Sequence, residues 1–119
     1  MTTRDTRGTP RIQPYVLPCH LIQSDGAVVE AYLTDLSVRG AQVVCDIVAP
    51  EEGSHVVLEV HFRRLPAPLH LPAQVRWCRE AEGKRSGHTL GLEFVDPPEA
   101  AQLAIESVIA EFQRWAERL

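Results

Sequence analysis

What this sequence lacks narrows it considerably. No apolar run in its 119 residues comes near the roughly 20 that a spanning helix requires. The opening stretch MTTRDTRGTPR has charges with no apolar region behind them, so neither a secretory leader nor membrane insertion is expected and the chain reads as cytoplasmic. Seven glycines and nine prolines fall well short of a low-complexity or collagen-like composition. Cysteine is scarce and badly placed for cross-linking: Cys19, Cys45 and Cys78 are odd in number, far apart and never in a C-x-x-C pair. A disulfide framework and a zinc knuckle are therefore excluded, and each thiol falls on a strand-like stretch where it packs as a small hydrophobe. Positive charge is also short, with 12 Lys and Arg against 16 Asp and Glu for a net charge of −4. An extended cationic footprint for a phosphate backbone is missing, so DNA and RNA are not expected partners. Only residues 1–11 reverse the sign: Arg4, Arg7 and Arg11 against Asp5 make this end +2, leaving −6 for the remainder of a chain of net charge −4.

The motifs of catalysis are missing as well. There is no G-x-S-x-G elbow, no G-x-x-x-x-G-K-[ST] loop and no G-x-G-x-x-G turn. The five histidines, His20, His55, His61, His70 and His88, form no H-E-x-x-H and pair with no cysteine at metal-ligand spacing. Alternating with apolar neighbours on strand-like stretches, they are expected to face solvent. The reading is of a non-enzyme with no metal and no cofactor.

What is present is a succession of short strands in a chain long enough for one compact domain. Tyr15–Gln23 is apolar and ends at Ser24-Asp25-Gly26, a hairpin signal. Ala27–Leu36 follows, and its tail Asp35-Leu36-Ser37-Val38-Arg39-Gly40 has the short polar side chains and the glycine of a turn. Ala41, Val43 and Cys45 then alternate against Gln42, Val44 and Asp46. After Pro50-Glu51-Glu52-Gly53, the residues Val56, Leu58, Val60 and Phe62 take one face. Beyond Pro66-Ala67-Pro68, Leu69, Leu71, Ala73, Val75 and Trp77 repeat the pattern, with His70, Gln74, Arg76 and Cys78 opposite and Trp77 read as core. A last strand carries Leu90, Leu92 and Phe94 after the polar loop 82–87. Period-two runs at this spacing predict a mainly β fold, a small antiparallel barrel or sandwich of about six strands.

The end of the chain changes period. Asp96-Pro97-Pro98-Glu99 predicts a helix over about 97–118, with Asp96 as N-cap, Pro97 in the first turn and Glu99 closing a capping box. Ala101, Ala104, Ile105, Val108, Phe112, Trp115 and Leu119 then form one stripe, which is expected to bury itself on the barrel.

Two short features carry the functional reading. Arg7-Gly8-Thr9-Pro10-Arg11 sets two guanidinium groups four residues apart, and Asp35-Leu36-Ser37-Val38-Arg39-Gly40 is a polar corner between two predicted strands. In this order the sequence resembles the PilZ domain family, bacterial receptors for cyclic dimeric GMP. Arg7 and Arg11 match the family's R-x-x-x-R segment, and Asp35, Ser37 and Gly40 match its [D/N]-x-S-x-x-G turn. Val75-Arg76-Trp77 is similar to the family's penultimate strand and Leu90-Gly91-Leu92-Glu93-Phe94 to its closing strand.

The resemblance implies a six-stranded PilZ-type split β-barrel over 15–119 with a C-terminal helix, preceded by a flexible arginine-bearing segment, 1–14. It implies a stand-alone receptor that binds cyclic dimeric GMP through Arg7, Arg11, Asp35, Ser37 and Gly40, with Arg4 and Arg39 as auxiliary contacts. The signal would pass to a downstream protein that controls motility, pili or exopolysaccharide, from a monomer or weak homodimer. The alternative within the family is an interaction module of type IV pilus assembly that binds no nucleotide. The chemistry of the residues suits the first: arginine grips phosphate and the guanine O6 and N7 acceptors bidentately and stacks on bases. Asp35 and Ser37 would meet guanine edges, and Gly40 would let the backbone approach the ligand.

Overall fold

The structure, a computed structural model, describes residues 11–12, 17–46, 48–80 and 87–118, with side chains over 17–46, 48–80 and 87–114. Its strands are β1 (Arg11–Ile12), β2 (Leu17–Gln23), β3 (Val28–Ser37), β4 (Gly40–Cys45), β5 (His55–Val60), β6 (Leu69–Glu80) and β7 (His88–Phe94), followed by the helix α1 (Glu99–Arg118). All pairings are antiparallel. The order β3-β2-β5-β6-β7-β4 closes on itself because β4 also pairs with β3, giving the expected six-stranded barrel with no open edge. The short β1 takes the same edge of β3 that β2 occupies further along, with Arg11 opposite Ser37 and Ile12 opposite Leu36.

The alternation read from the sequence determines what lies inside. Cys19 and Leu21, Ala41, Val43 and Cys45, and Val56, Leu58 and Val60 all point inward and are buried, while their neighbours of opposite parity are half-buried or exposed. The β2–β3 hairpin closes as its turn chemistry requires: Gly26 has φ 90°, its amide donates to the Gln23 carbonyl at 2.8 Å, and the Asp25 carboxylate accepts from the Ala27 amide at 2.9 Å. Cys19 and Cys45 are buried free thiols. Burial, with the neighbouring Cys45 as a smaller cause, pushes the Cys19 thiol up to about 12, and burial pushes Cys45 up to about 11, so both behave as packing groups.

Two places break the alternation, and both breaks are β-bulges. The register slips between Leu33 and Asp35 on β3 and between Val75 and Trp77 on β6. One extra residue in a strand reverses the facing of everything beyond it. Beyond the second slip, Cys78 packs on the core side and Trp77 stands on the outside. The expectation of Trp77 as core with Cys78 opposite is therefore reversed. Likewise Asp35 lies within β3, opposite Gln42, and the turn proper is only Val38-Arg39 between Ser37 and Gly40. His88 departs from the solvent-facing expectation: it shares parity with the buried Leu90 and Leu92, and its Nδ1 is buried without a hydrogen-bond partner.

The helix begins two residues later than expected. Pro98 disfavours helical geometry at Pro97, so the first helical hydrogen bond runs from the Gln102 amide to the Pro98 carbonyl at 3.0 Å. Asp96 stands outside in a left-handed conformation, φ 42°, and no capping box forms. Gln102 Nε2 instead donates to the Pro97 carbonyl at 3.1 Å. The apolar stripe docks on the barrel, against β1, β3 and β6, and buries Ala101, Ile105, Val108 and Ile109. Phe112 is 40% exposed, and the stripe's Trp115 and Leu119 lie outside the residues whose side chains are described. Among the described residues no helix is long and apolar enough to cross a membrane.

Candidate functional site

The two bulges create one outer surface. Past its bulge, β3 turns Asp35 outward opposite Gln42 of β4, Gln42 pairs with Gly91 of β7, and Gly91 pairs with Trp77 of β6. Asp35, Gln42, Gly91 and Trp77 thus form one row across four strands. A second outward row lies two residues nearer the mouth of the barrel. There Ser37 has the backbone of Arg11 of β1 opposite it, Gly40 is opposite Glu93, and Glu93 is opposite Gln74. Between these rows lies a groove of about 550 Å³ lined by Asp35, Ser37, Arg39, Gly40, Ala41, Gln42, Arg76, Trp77, Gly91, Leu92 and Glu93.

Several of the lining residues are held by identifiable contacts. Asp35 and Ser37 are only 9% and 6% exposed. Ser37 Oγ donates to the Gly40 carbonyl at 3.4 Å and accepts from the Arg39 amide at 3.2 Å, so the hydroxyl ties the two-residue turn together. The Phe94 amide donates to the Arg39 carbonyl at 2.9 Å, which fastens the turn to β7. The extra residue in β3, Thr34, donates its hydroxyl to the Gln42 carbonyl at 3.1 Å.

Glycine is required at two points of the floor. A Cβ at Gly40 would overlap the Leu92 carbonyl oxygen, so the close approach at Gly40 is to the backbone of β7. A Cβ at Gly91 would overlap the Trp77 indole around Nε1, so the ring lies flat over the strand where no side chain intervenes. The Arg79 guanidinium packs 4.8 Å from the Trp77 ring centroid, a cation–π contact that further fixes the ring.

The charged groups of the rim balance. Among the described lining residues Arg39 and Arg76 are positive and Asp35 and Glu93 negative, and Arg76 Nη1 lies 3.4 Å from Glu93 Oε1 and 3.3 Å from Gln74 Oε1. Elsewhere on the barrel, the Glu59 carboxylate receives His20 Nδ1 at 3.3 Å and His70 Nε2 at 2.8 Å. The hydrogen bond from His70, more than that from His20, holds Glu59 below the usual carboxylate range. Among the described residues no cluster of His, Cys, Asp and Glu could hold a metal ion.

Of the residues singled out in the sequence, Asp35, Ser37, Gly40 and Arg39 line one groove, and the backbone of Arg11 lies beside Ser37. Arg4 and Arg7 lie outside the described residues. Sequence reasoning missed Gln42, Arg76, Trp77, Gly91 and Glu93. A signal existed for Trp77: a glycine at an outward strand position marks close approach by a neighbour, and Gly91 interrupts an otherwise large-residue strand.

Comparison with known proteins finds the same fold in solved structures. The PilZ domain of YcgR from Escherichia coli, solved with c-di-GMP, superposes with a TM-score of 0.76 at 21% identity, 96% of each chain being covered. The Bacillus subtilis inhibitor of motility MotI/DgrA gives a TM-score of 0.72 at 17% identity over 95% of this chain and 52% of that one. The MrkH–c-di-GMP complex of K. pneumonia gives 0.75 at 14% identity over 99% and 56%. The chain therefore spans about half the length of those two relatives. No curated protein sequence matches it. The family model of the PilZ domain matches residues 5–111, and on that match the chain belongs to the PilZ domain family.

Proposed function

We propose that this domain is a receptor for cyclic dimeric GMP, and that the ligand lies in the groove between the bulged strands. The observation that carries the reading is the convergence of Asp35, Ser37 and Gly40, with the backbone of Arg11 alongside, at a groove walled by an indole. The groove, about 550 Å³, lies within the roughly 300–1,000 Å³ typical of small-molecule sites. Its charges supply the rest of the argument. Because the described lining residues Arg39 and Arg76 are matched in number by Asp35 and Glu93, a dianion needs further cations, and the amino-terminal arginines Arg7 and Arg11 would supply them.

In this reading Arg7 and Arg11 grip the phosphates and guanine edges with planar forks, and Asp35 accepts from guanine N–H groups. Ser37 and Gly40 act indirectly. The hydroxyl shapes the turn through Gly40 and Arg39, and the glycine permits contact between β4 and β7. No catalytic step is assigned: no histidine is among the groove's described lining residues, and the Ser37 hydroxyl is engaged with the turn. Occupation of the groove engages the amino-terminal arginines with the ligand on the barrel, and the surface so formed is what a cytoplasmic partner protein reads. The c-di-GMP-bound PilZ domain of YcgR and the motility inhibitor MotI/DgrA support a receptor that acts on motility.

Isothermal titration calorimetry tests the proposal. The chain should bind cyclic dimeric GMP saturably, and Arg7→Ala, Arg11→Ala and Asp35→Ala should each weaken binding at least about tenfold, the loss of one charge-assisted hydrogen bond. Absence of heat at millimolar nucleotide would refute it.

A further inference from the structure

The bulge in β6 gives Arg76 a position that neither the arginine segment nor the turn motif accounts for. Because Val75 pairs with Leu92 and Trp77 with Gly91, Arg76 is the extra residue with no partner across the ladder. Its side chain is exposed and lines the groove. Its guanidinium is held at one corner by Glu93 Oε1 at 3.4 Å and Gln74 Oε1 at 3.3 Å. Gln74 is itself anchored, donating from Nε2 to the Gly53 carbonyl at 3.1 Å. Both members of the ion pair are more than half exposed, at 58% and 57%. Such a pair is weak, since water and salt screen it.

We infer that Arg76 is an anion-binding residue of the groove, held in reserve by Glu93, and that Glu93 sets the affinity of the site for an anionic nucleotide. This rests on the receptor reading above and adds to it a residue of β6 that lines the groove. When the groove is empty, Arg76 shares its positive charge with Glu93. When a phosphate enters, the guanidinium exchanges an exposed carboxylate for a phosphate oxygen in a partly enclosed groove, where a planar fork makes a stronger charge-assisted bond. Forming that bond breaks the Arg76–Glu93 pair, so the carboxylate competes with the nucleotide for the guanidinium and opposes binding through Arg76. The pair therefore lowers affinity in a way that a single substitution can remove.

Calorimetric titration with cyclic dimeric GMP of the wild type, Arg76→Ala, Arg76→Lys, Glu93→Gln and the Arg76→Ala/Glu93→Gln double variant tests the assignment, with thermal melts as a check on folding. Arg76→Ala should weaken binding about tenfold, and Arg76→Lys should recover only part of the loss because it keeps the charge without the fork. Glu93→Gln should tighten binding about two- to fivefold, as expected for releasing an exposed ion pair, and most of that gain should vanish in the double variant. Melting points should stay near that of the wild type, since the pair is exposed. If wild type binds and Arg76→Ala binds within about twofold of it, the assignment of Arg76 is overturned while the receptor reading stands. A gain from Glu93→Gln that is undiminished without Arg76 also overturns it, since plain repulsion by the carboxylate would then suffice. A wild type that does not bind at all overturns the receptor reading itself.

Discussion

Replacing Gly40 with alanine separates two roles for one residue. The sequence motif suggests that Gly40 lets backbone approach a ligand, whereas the structure assigns the close approach to Leu92 of β7, whose carbonyl oxygen occupies the space a Cβ would need. That oxygen is backbone in a barrel closed by β4–β7 pairing, so it cannot swing aside as a flexible side chain would. Relief requires Gly40 and Glu93 to separate where the ladder begins. Overpacking of this kind costs about 1–3 kcal/mol. At roughly 4 °C per kcal/mol for a domain of this size, a cost near 2 kcal/mol lowers the melting temperature by about 8 °C. Differential scanning calorimetry of the ligand-free variant measures this directly. Gly40→Ala should melt early before any nucleotide is added. A variant with the wild-type melting point but lost nucleotide binding would refute the steric argument and restore the ligand-approach role.

The remaining predictions concern packing and charge. Ile105 has no exposed surface at the helix–barrel contact, so Ile105→Ala should cost about 2–5 kcal/mol in urea unfolding, and a loss under about 1 kcal/mol would mean that the helix is not docked there. Gly91→Ala should push the Trp77 indole off the strand, altering the near-ultraviolet circular dichroism and weakening the groove; an unchanged spectrum would contradict a ring lying over Gly91. Glu59 is held below its ordinary value of 4.5, chiefly by the hydrogen bond from His70. Its contribution to stability is therefore present above that value and lost as the pH falls through the lower, folded-state one. Thermal melts of Glu59→Gln should lose part of the acid destabilisation of the wild type below about pH 4.5, and identical pH profiles would show that the His20–Glu59–His70 contact contributes nothing.

The elements that were legible in the sequence are those in which one rule acts alone. Uninterrupted period-two alternation in Val56-Val57-Leu58-Glu59-Val60 and in Ala41–Cys45 correctly identified the inner face, and Ser24-Asp25-Gly26 identified a hairpin. The helical stripe was read correctly in period but not in every member: Ile109 joins the buried face and Phe112 leaves it, because which side chains the barrel covers depends on tertiary geometry. The helix start was misplaced because Asp96, Pro97 and Glu99 look like a cap until Pro98 is allowed to restrict its predecessor.

The larger error has the same origin as the site. A β-bulge leaves no mark in composition, so the reversal after Val75 put Trp77 in the expected core and Arg76 and Cys78 together on the opposite face. In the structure those slips make the groove, by turning Asp35, Arg76 and Trp77 outward together. Local irregularities of this kind recur next to functional sites because they re-aim side chains.

The most direct test of the account is a titration of the isotopically labelled chain with cyclic dimeric GMP followed by nuclear magnetic resonance. The account expects saturable shifts in the Trp77 indole N–H and in the amides of Asp35, Ser37, Gly40, Gln42 and Gly91, with the His20–Glu59–His70 contact, whose residues do not line the groove, unmoved. Shifts confined to that other face, or none at millimolar nucleotide, would contradict it.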